Sequence, residues 1–587
     1  MKNTRLPVRS VHLYDYSNPH SREETAAFLL DFAARSRSST DEYWKKMRRY
    51  YDGKHDICSS SEGFSRENCL NWTPAQSTDG YIHVETQVIA KAPDFEFNPR
   101  DRTDYDKAKQ REKIVRYVCD KADLEVKNSM NERHLGIGGT AVWKVCWDSD
   151  AGYCGDAGDV TVLSPKPYEI YPDPTSSDVD GCEYIGYVYR MHKQKAARVF
   201  ERDFARSGET LSDFLVSDMN FGPANNVLSD EYDTSDDTVT VTEWWFRQTS
   251  DGKCVINDGN KKHFYEWKAG DIALCIFING KEIRYIPKYW KNTSFDSFPF
   301  VIYSRIPREN SVWGKSELEA IIPLIDAKDR ELAYAQLNSA FSSNDIIVME
   351  ENALSDGEIP DNSPGSVWKL RPGMMGKVSR LGNIAAAQGS LYSNSAYWQS
   401  LIESTTGNFE VNQGKEPTSV TTATGIALLN ERAETRRAQK NIGRSEGFKR
   451  LYSLIDKTCL EYYNDGRVLR LGAAGEDEFV YSFGGFVRKT REKKYIPELD
   501  VAIHTSSAVA NSKAFTISAL TSLIGMNITK DNYKLVKAYV ETIGIPERGE
   551  ICEFLDTKFS DSSMAGVTAE EIIKIIQESI EKENENE

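Results

Sequence analysis

SELEAIIPLIDAKDRELAYAQLNSA, residues 316–340, dictates a long amphipathic helix. Leu318, Ile321, Ile322, Ile325 and Leu332 recur at helical spacing, so one stripe is expected to be buried. Asp326, Lys328, Asp329, Arg330 and Glu331 make the polar remainder, expected to face water or a neighbouring chain. Ser316 and Glu319 are spaced as a capping box, and Ser316 reads as the helix cap. Pro323 lies inside the pattern and predicts a kink or break there, because proline removes one intrahelical hydrogen bond.

Downstream, Ile346, Ile347, Val348 and Met349 read as a strand. Gly, Pro and Asp punctuate residues 355–365, and Pro372-Gly373 marks a turn, so a small β-rich excursion is expected here. A second helical pattern covers residues 391–405, with Leu391, Trp398, Leu401 and Ile402. GNFEVNQGKEPTSVTTATG, residues 407–425, is too rich in Gly, Asn, Thr and Pro to be a core element. Polar loops of this length within a compact region are commonly functional or disordered. A third helix opens near Thr424, with Ile426, Leu429, Ala433, Phe448, Leu451 and Ile455 on its apolar side. Residues 426–450 hold seven Lys/Arg against three Glu, a locally positive stretch in a chain of net charge −16.

Upstream the pattern is mixed. Residues 22–38 and 43–51 read as two helices, and Trp44, Met47, Arg48 and Tyr51 at helical spacing are better explained by packing than by base stacking. Residues 105–135 read as one helix, residues 140–147 and 184–191 as strands, and residues 238–306 as nearly all β. In FINGKEIRYI, Asn279-Gly280 between two apolar runs predicts a hairpin turn. Residues 207–237 are acidic and turn-rich, as in an insertion. Toward the C-terminus, residues 478–486 and 499–504 read as strands and residues 512–524 and 531–543 as helices. Thr568 and Glu571 cap a last helix carrying Ile572, Ile573, Ile576 and Ile580. The fold class is α+β.

Candidate chemical sites mostly dissolve. GKS at residues 314–316 lacks the first glycine of a phosphate loop, since Glu309 stands there. Gly136, Gly138 and Gly139 read as a close backbone crossing instead of a dinucleotide fingerprint. Asp173, Asp178, Asp180 and Glu183 cluster at a turn and offer hard oxygen ligands, although Asp also simply makes turns. The ten cysteines show no CxxC, consistent with reduced thiols, and no catalytic, cofactor-binding or metal-binding residue is nominated. The N-terminus lacks an apolar signal core, and the longest apolar run, residues 272–278, is too short to span a bilayer, so no membrane association is expected. The 587 residues correspond to about four domains by length. A chain this acidic is not expected to wrap DNA over its whole surface.

The order of PLIDAKDREL, a short β segment, LIESTTGNF, a Gly/Thr-rich loop and TGIALLNERAETRR resembles the portal proteins of tailed double-stranded DNA bacteriophages. EYWKKMRRYYDGKH at residues 42–55 and SPKPYEIYPDP at residues 164–174, followed by GCEYIGYVYR, extend the resemblance over most of residues 41–465. It implies a ring, usually of twelve copies, around a DNA channel at one capsid vertex. The subdivisions implied are a wing over 1–315 with its β-rich part at 238–306, a first stem helix at 316–343, a clip at 344–385 and a second stem helix at 386–406. A tunnel loop at 407–425, a long wing helix at 426–465, return strands at 466–510 and crown helices with an acidic tail at 511–587 would follow.

In that arrangement Asn412, Gln413, Lys415, Glu416 and Thr418 would sit near the channel axis, with Gly407, Gly414 and Gly425 as hinges. Lys415 would touch phosphate transiently and Glu416 would limit how tightly, the alternative being a solvated loop without DNA contact. Arg432, Arg436, Arg437, Lys440 and Arg444 are favoured as intersubunit ion pairs over DNA contacts, because glutamates are interleaved with them. The partners implied are further copies of the chain, double-stranded DNA, terminase, major capsid and scaffolding proteins and head–tail adaptors, in the host cytoplasm during assembly and then in the virion. Two other readings stay open: a metal-dependent DNA-processing enzyme using Asp173, Asp178 and Asp180, and a monomeric capsid-associated adaptor.

Overall fold

The computed structural model describes residues 16, 18–54, 77–149, 151, 158–207, 210, 238–258, 261–293, 295–343, 346–355, 369–381, 388–406, 423–463, 466–470, 478–486, 488–489 and 494–504. The readings made for residues 211–237, 407–422 and 505–587 lie outside this set. The described helices are α1 (Pro19–Tyr51), α2 (Asp79–Glu85), α3 (Tyr105–Lys121), α4 (Leu124–Gly138), α5 (Lys193–Val199), α6 (Glu201–Ser207), α7 (Ile322–Ser343), α8 (Gln388–Thr406), α9 (Ala423–Tyr462) and α10 (Phe483–Phe486). The strands are β1 (Asp94–Pro99), β2 (Thr140–Asp148), β3 (Asp159–Leu163), β4 (Ile170–Pro172), β5 (Tyr184–His192), β6 (Thr238–Arg247), β7 (Gly252–Asp258), β8 (Lys261–Trp267) and β9 (Ile272–Ile278). They continue with β10 (Lys281–Ile286), β11 (Phe300–Ser304), β12 (Ile346–Met349), β13 (Val378–Leu381), β14 (Val468–Arg470), β15 (Glu478–Val480), β16 (Arg488–Lys489), β17 (Lys494–Tyr495) and β18 (Leu499–His504). The chain is α+β.

The apolar run IALCIFI explains the layering. It is strand β9, buried along its whole length inside the sheet β10-β9-β6-β5-β4. Because side chains alternate across a strand, Ala273, Cys275 and Phe277 face one core with Trp244 and Phe246, covered by Ala26, Leu29, Leu30 and Ala33 of α1. Ile272, Leu274, Ile276 and Ile278 belong to the other core, where Trp245 of β6 meets Phe300 of the sheet β11-β2-β3. Gly186 lets α1 approach this closely, since a Cβ there would lie 2.1 Å from Leu30 Cδ2. The hairpin expected at Asn279-Gly280 is present, both residues having positive φ (46° and 90°), as its two-residue turn requires.

The far side of β11-β2-β3 carries α9. Phe448 meets Trp143 and Tyr303, while Gly443 and Gly447 lie directly against Ser304 and Tyr303. β1 and β18 pair antiparallel, with Phe97 opposite Val501, so the chain returns to a strand laid down some four hundred positions earlier.

Three local expectations are corrected. Residues 22–38 and 43–51 are not two helices but parts of the 33-residue α1, capped by Asn18, whose side chain accepts from Ser21 N. No Gly or Pro interrupts it after Pro19, and Arg37 inside it pairs with Asp41 at 2.8 Å. Residues 105–135 form two helices, because Asp123 takes left-handed φ of 48° between α3 and α4. Residues 478–486 are strand only as far as Val480, after which Phe483–Phe486 turns helical.

Candidate functional site

The feature that organises the middle of the chain is the root of the α7–α8 pair. The start of α7 lies beside the end of α8: Ile402 packs with Ile322 and Ile325, and Lys328 Nζ donates to Gln399 Oε1 at 2.6 Å. The two helices are therefore antiparallel, and β12 and β13 pair antiparallel at their far end, Ile346 opposite Leu381.

The predicted first helix differs at its entrance. Residues Glu317–Ala320 form a 3-10 turn and α7 begins only at Ile322. Pro323 thus stands in the first turn, where its missing N–H removes no helical bond and its fixed φ suits the helix. The capping box does not form. Ser316 Oγ accepts from Leu318 N at 3.1 Å and donates to Gly136 O at 2.8 Å. Tyr43 OH accepts from Ser316 N at 2.8 Å and donates to Glu319 at 3.0 Å, so Glu319 serves α1 and not its own cap.

An apolar plug of Met47, Val84, Ile137, Leu318, Ile321, Ile322, Ile325 and Ile402 seals this root. Each side chain of this kind contributes about 1.5–3 kcal/mol when fully buried. Part of the polar stripe of α7, expected to face water or another chain, is instead anchored within the chain, while Arg330 is exposed. Tyr50 OH donates to Asp326 Oδ1 at 2.7 Å, Lys328 pairs with Asp79 at 2.6 Å, and Asp329 accepts from Ser77 N at 3.1 Å. Burial, together with the acceptor Asp326, pushes the Tyr50 phenol well up, so it stays a donor.

Behind the plug runs a buried ionic chain. Glu132 of α4 takes Arg444 of α9 on one oxygen, at 2.7 Å, and Arg305 on the other. Arg305 continues to Glu317 at 3.2 Å, and Glu317 lies 3.4 Å from His83 of α2. Burial opposes the Arg305 charge, but Glu132 and Glu317 outweigh it and hold the guanidinium above its ordinary pKa. One network therefore ties α2, α4, the strand end at β11, the 3-10 turn before α7, and α9. Such an array resists being pulled apart because breaking it strands charges in a dry site.

The sequence profile of the family described as Phage P22-like portal protein matches residues 83–586. The chain belongs to that family. Its function is accordingly that of a phage portal protein, a capsid-associated component of the virion. No curated protein matches the chain. No helix among the described residues is long and apolar enough to cross a membrane.

Within this portal subunit, Gly407, Asn412, Gln413, Gly414, Lys415, Glu416 and Thr418 lie outside the described residues. Gly425 lies in the first turn of α9. The side chains of Arg432, Arg436, Arg437 and Lys440, on the same helix, are also outside the described set. Arg444 is described, and it differs from the expectation of an intersubunit charge. It is buried, donates to Glu132 and to Lys91 O at 2.7 Å, and stacks on Phe448, all within its own chain.

The aspartates of residues 173–180 serve the turn. Asp173 accepts from Thr175 N and Oγ1 at 2.9 and 2.7 Å and from Glu183 N, and Asp178 accepts from Gly181 N. Asp180 faces Arg450 at 3.4 Å. The glycine crossing is as expected: Gly139 has φ of 79°, and a Cβ there would lie 2.3 Å from the Lys315 carbonyl carbon. The residues missed by sequence reasoning are Glu132, Arg305, Glu317 and His83. Each reads locally as an ordinary polar residue, and no spacing in the sequence joins them.

Proposed function

We propose that this chain forms the portal ring through which double-stranded DNA is packaged, retained and ejected, docking terminase during packaging and head–tail adaptors afterwards. The observation that carries the reading is the α7–α8 pair, closed by β12–β13 at one end and locked at the other into the body by the plug and the Glu132 network. In that reading α7 and α8 are the stem, β12–β13 belongs to the clip, residues 407–425 are the tunnel loop, α9 links the loop to the wing, and residues 511–587 form the crown. Lys415 would touch the DNA phosphates transiently at the channel wall, without sequence preference, and Glu416 would limit how tightly. Arg432, Arg436, Arg437 and Lys440 remain proposed intersubunit ion pairs. Twelve copies, assembled in the host cytoplasm with scaffolding and major capsid proteins, complete the proposal.

Electron microscopy of the purified chain, viewed down the particle axis, tests it. A closed ring of about a dozen subunits around a hole wider than a DNA duplex, whose major groove alone is about 12 Å across, is expected. A monomer under all conditions, with scaffold included, overturns it. Deletion of residues 407–425 is expected to leave rings intact and to impair DNA packaging or retention.

A further inference from the structure

The β7–β8 hairpin stands apart from both cores. Among the described residues its two strands pair only with each other. Its inner face is tethered to the body by Lys291 Nζ, which donates to Tyr265 OH at 2.7 Å, and its own base is closed by Asp251, which accepts from Ala269 N at 2.8 Å. Its outer face is different. Val255 and Phe264 are directly opposed across the ladder, and they are 50% and 79% exposed. Lys253 and Glu266, also opposed and two residues along on the same face, form an ion pair of 2.8 Å. An apolar cross-strand pair this exposed, framed by charge, has the composition of a contact surface and not of a solvated edge.

Charge and symmetry indicate the occupant. Residues 251–268 carry four lysines (Lys253, Lys261, Lys262, Lys268) against three acids (Asp251, Asp258, Glu266), in a chain whose net charge is −16. The hairpin is thus locally opposite in sign to the average surface of another copy. A closed ring of more than two subunits also needs a heterologous interface, in which each copy presents one face to a different face of the next. A two-stranded hairpin is marginal by itself in water and gains from being covered. We propose that the outer face of β7–β8, centred on Val255 and Phe264, docks on an acidic flank of the neighbouring subunit. This rests on the ring reading given above.

The test places a photo-crosslinker at the centre of the face, Phe264→p-benzoylphenylalanine, and irradiates the assembled full-length chain. In parallel, Val255→Ser with Phe264→Ser is examined by microscopy and thermal melting. Expected are a crosslink between two copies in ring fractions and an at least tenfold loss of rings in the double variant with its melting temperature unchanged. Intact rings without a chain-to-chain crosslink, or rings that persist in the double variant, overturn the docking proposal and leave the ring reading standing. Absence of rings from the unsubstituted chain, with scaffold present, overturns the ring reading and this proposal with it.

Discussion

Arg444 Nε donates to Glu132 Oε1 at 2.7 Å, joining the long α9 to α4 across 312 residues of sequence. Both side chains are withdrawn from water, and Glu132 has Arg305 as its other cation. Arg444→Met leaves one cation for a carboxylate bridged by two, and the expected loss of stability is about 3–5 kcal/mol, the range for breaking a buried pair. Arg450→Ala removes a solvent-facing partner of Asp180 and Glu446 and is expected to cost under about 1 kcal/mol. Urea unfolding of both variants measures the contrast; equal effects would mean that Glu132 is not an anchor.

Gly443 and Gly447, one helical turn apart, allow α9 to lie on the end of β11. A Cβ on Gly443 would fall 2.0 Å from the Ser304 carbonyl oxygen, and one on Gly447 would fall 2.5 Å from the Tyr303 ring. Gly443→Ala opposes a backbone atom that cannot rotate away, so it is expected to cost at least the roughly 1–3 kcal/mol typical of overpacking. Gly447→Ala should be milder if the Tyr303 ring shifts. Thermal melting of the two variants, compared at matched assembly state, gives the order.

Pro323→Ala separates a first-turn proline from a kink. With α7 beginning at Ile322, no helical hydrogen bond is missing at this position. The expected change in stability is within about 0.5 kcal/mol, with no gain in helicity by circular dichroism. A clear gain in helicity would restore the kinked entrance predicted by the sequence.

Asp159 supplies a pH signature. Burial acts against its charged form, but Lys121, Arg467, the Val160 N–H and the Tyr463 hydroxyl outweigh that cost, leaving its folded pKa below the ordinary value. A depressed carboxylate contributes stability that is complete above the unfolded pKa, about 3.9, and is lost as pH falls through the folded value. Asp159→Asn is therefore expected to lower stability at neutral pH and to flatten its decline below about pH 4. Acid titration of the melting temperature checks this; an unchanged slope would assign the acid sensitivity to other carboxylates.

The sequence by itself determined most of the elements, because helix and strand periods are local. β6 and β9, the Asn279-Gly280 turn and the succession of α7, β12, α8 and α9 follow the side-chain spacing, except that α7 begins at Ile322 and Ser316 caps the 3-10 turn before it. It also determined the portal resemblance, which rests on the order of those segments. The break at Asp123 was not legible, because αL geometry at a non-glycine residue has only a weak local signal. Only the tertiary structure decided that Asp326, Lys328 and Asp329 anchor their helix inside the chain, that Arg444 is an internal bridge, and that β9 is buried on both faces. The physical reason is the same in each case. Periodicity fixes which residues share a face, whereas burial and charge pairing depend on what that face meets, and here the partners of Arg444 and Arg305 lie 312 and 173 residues away.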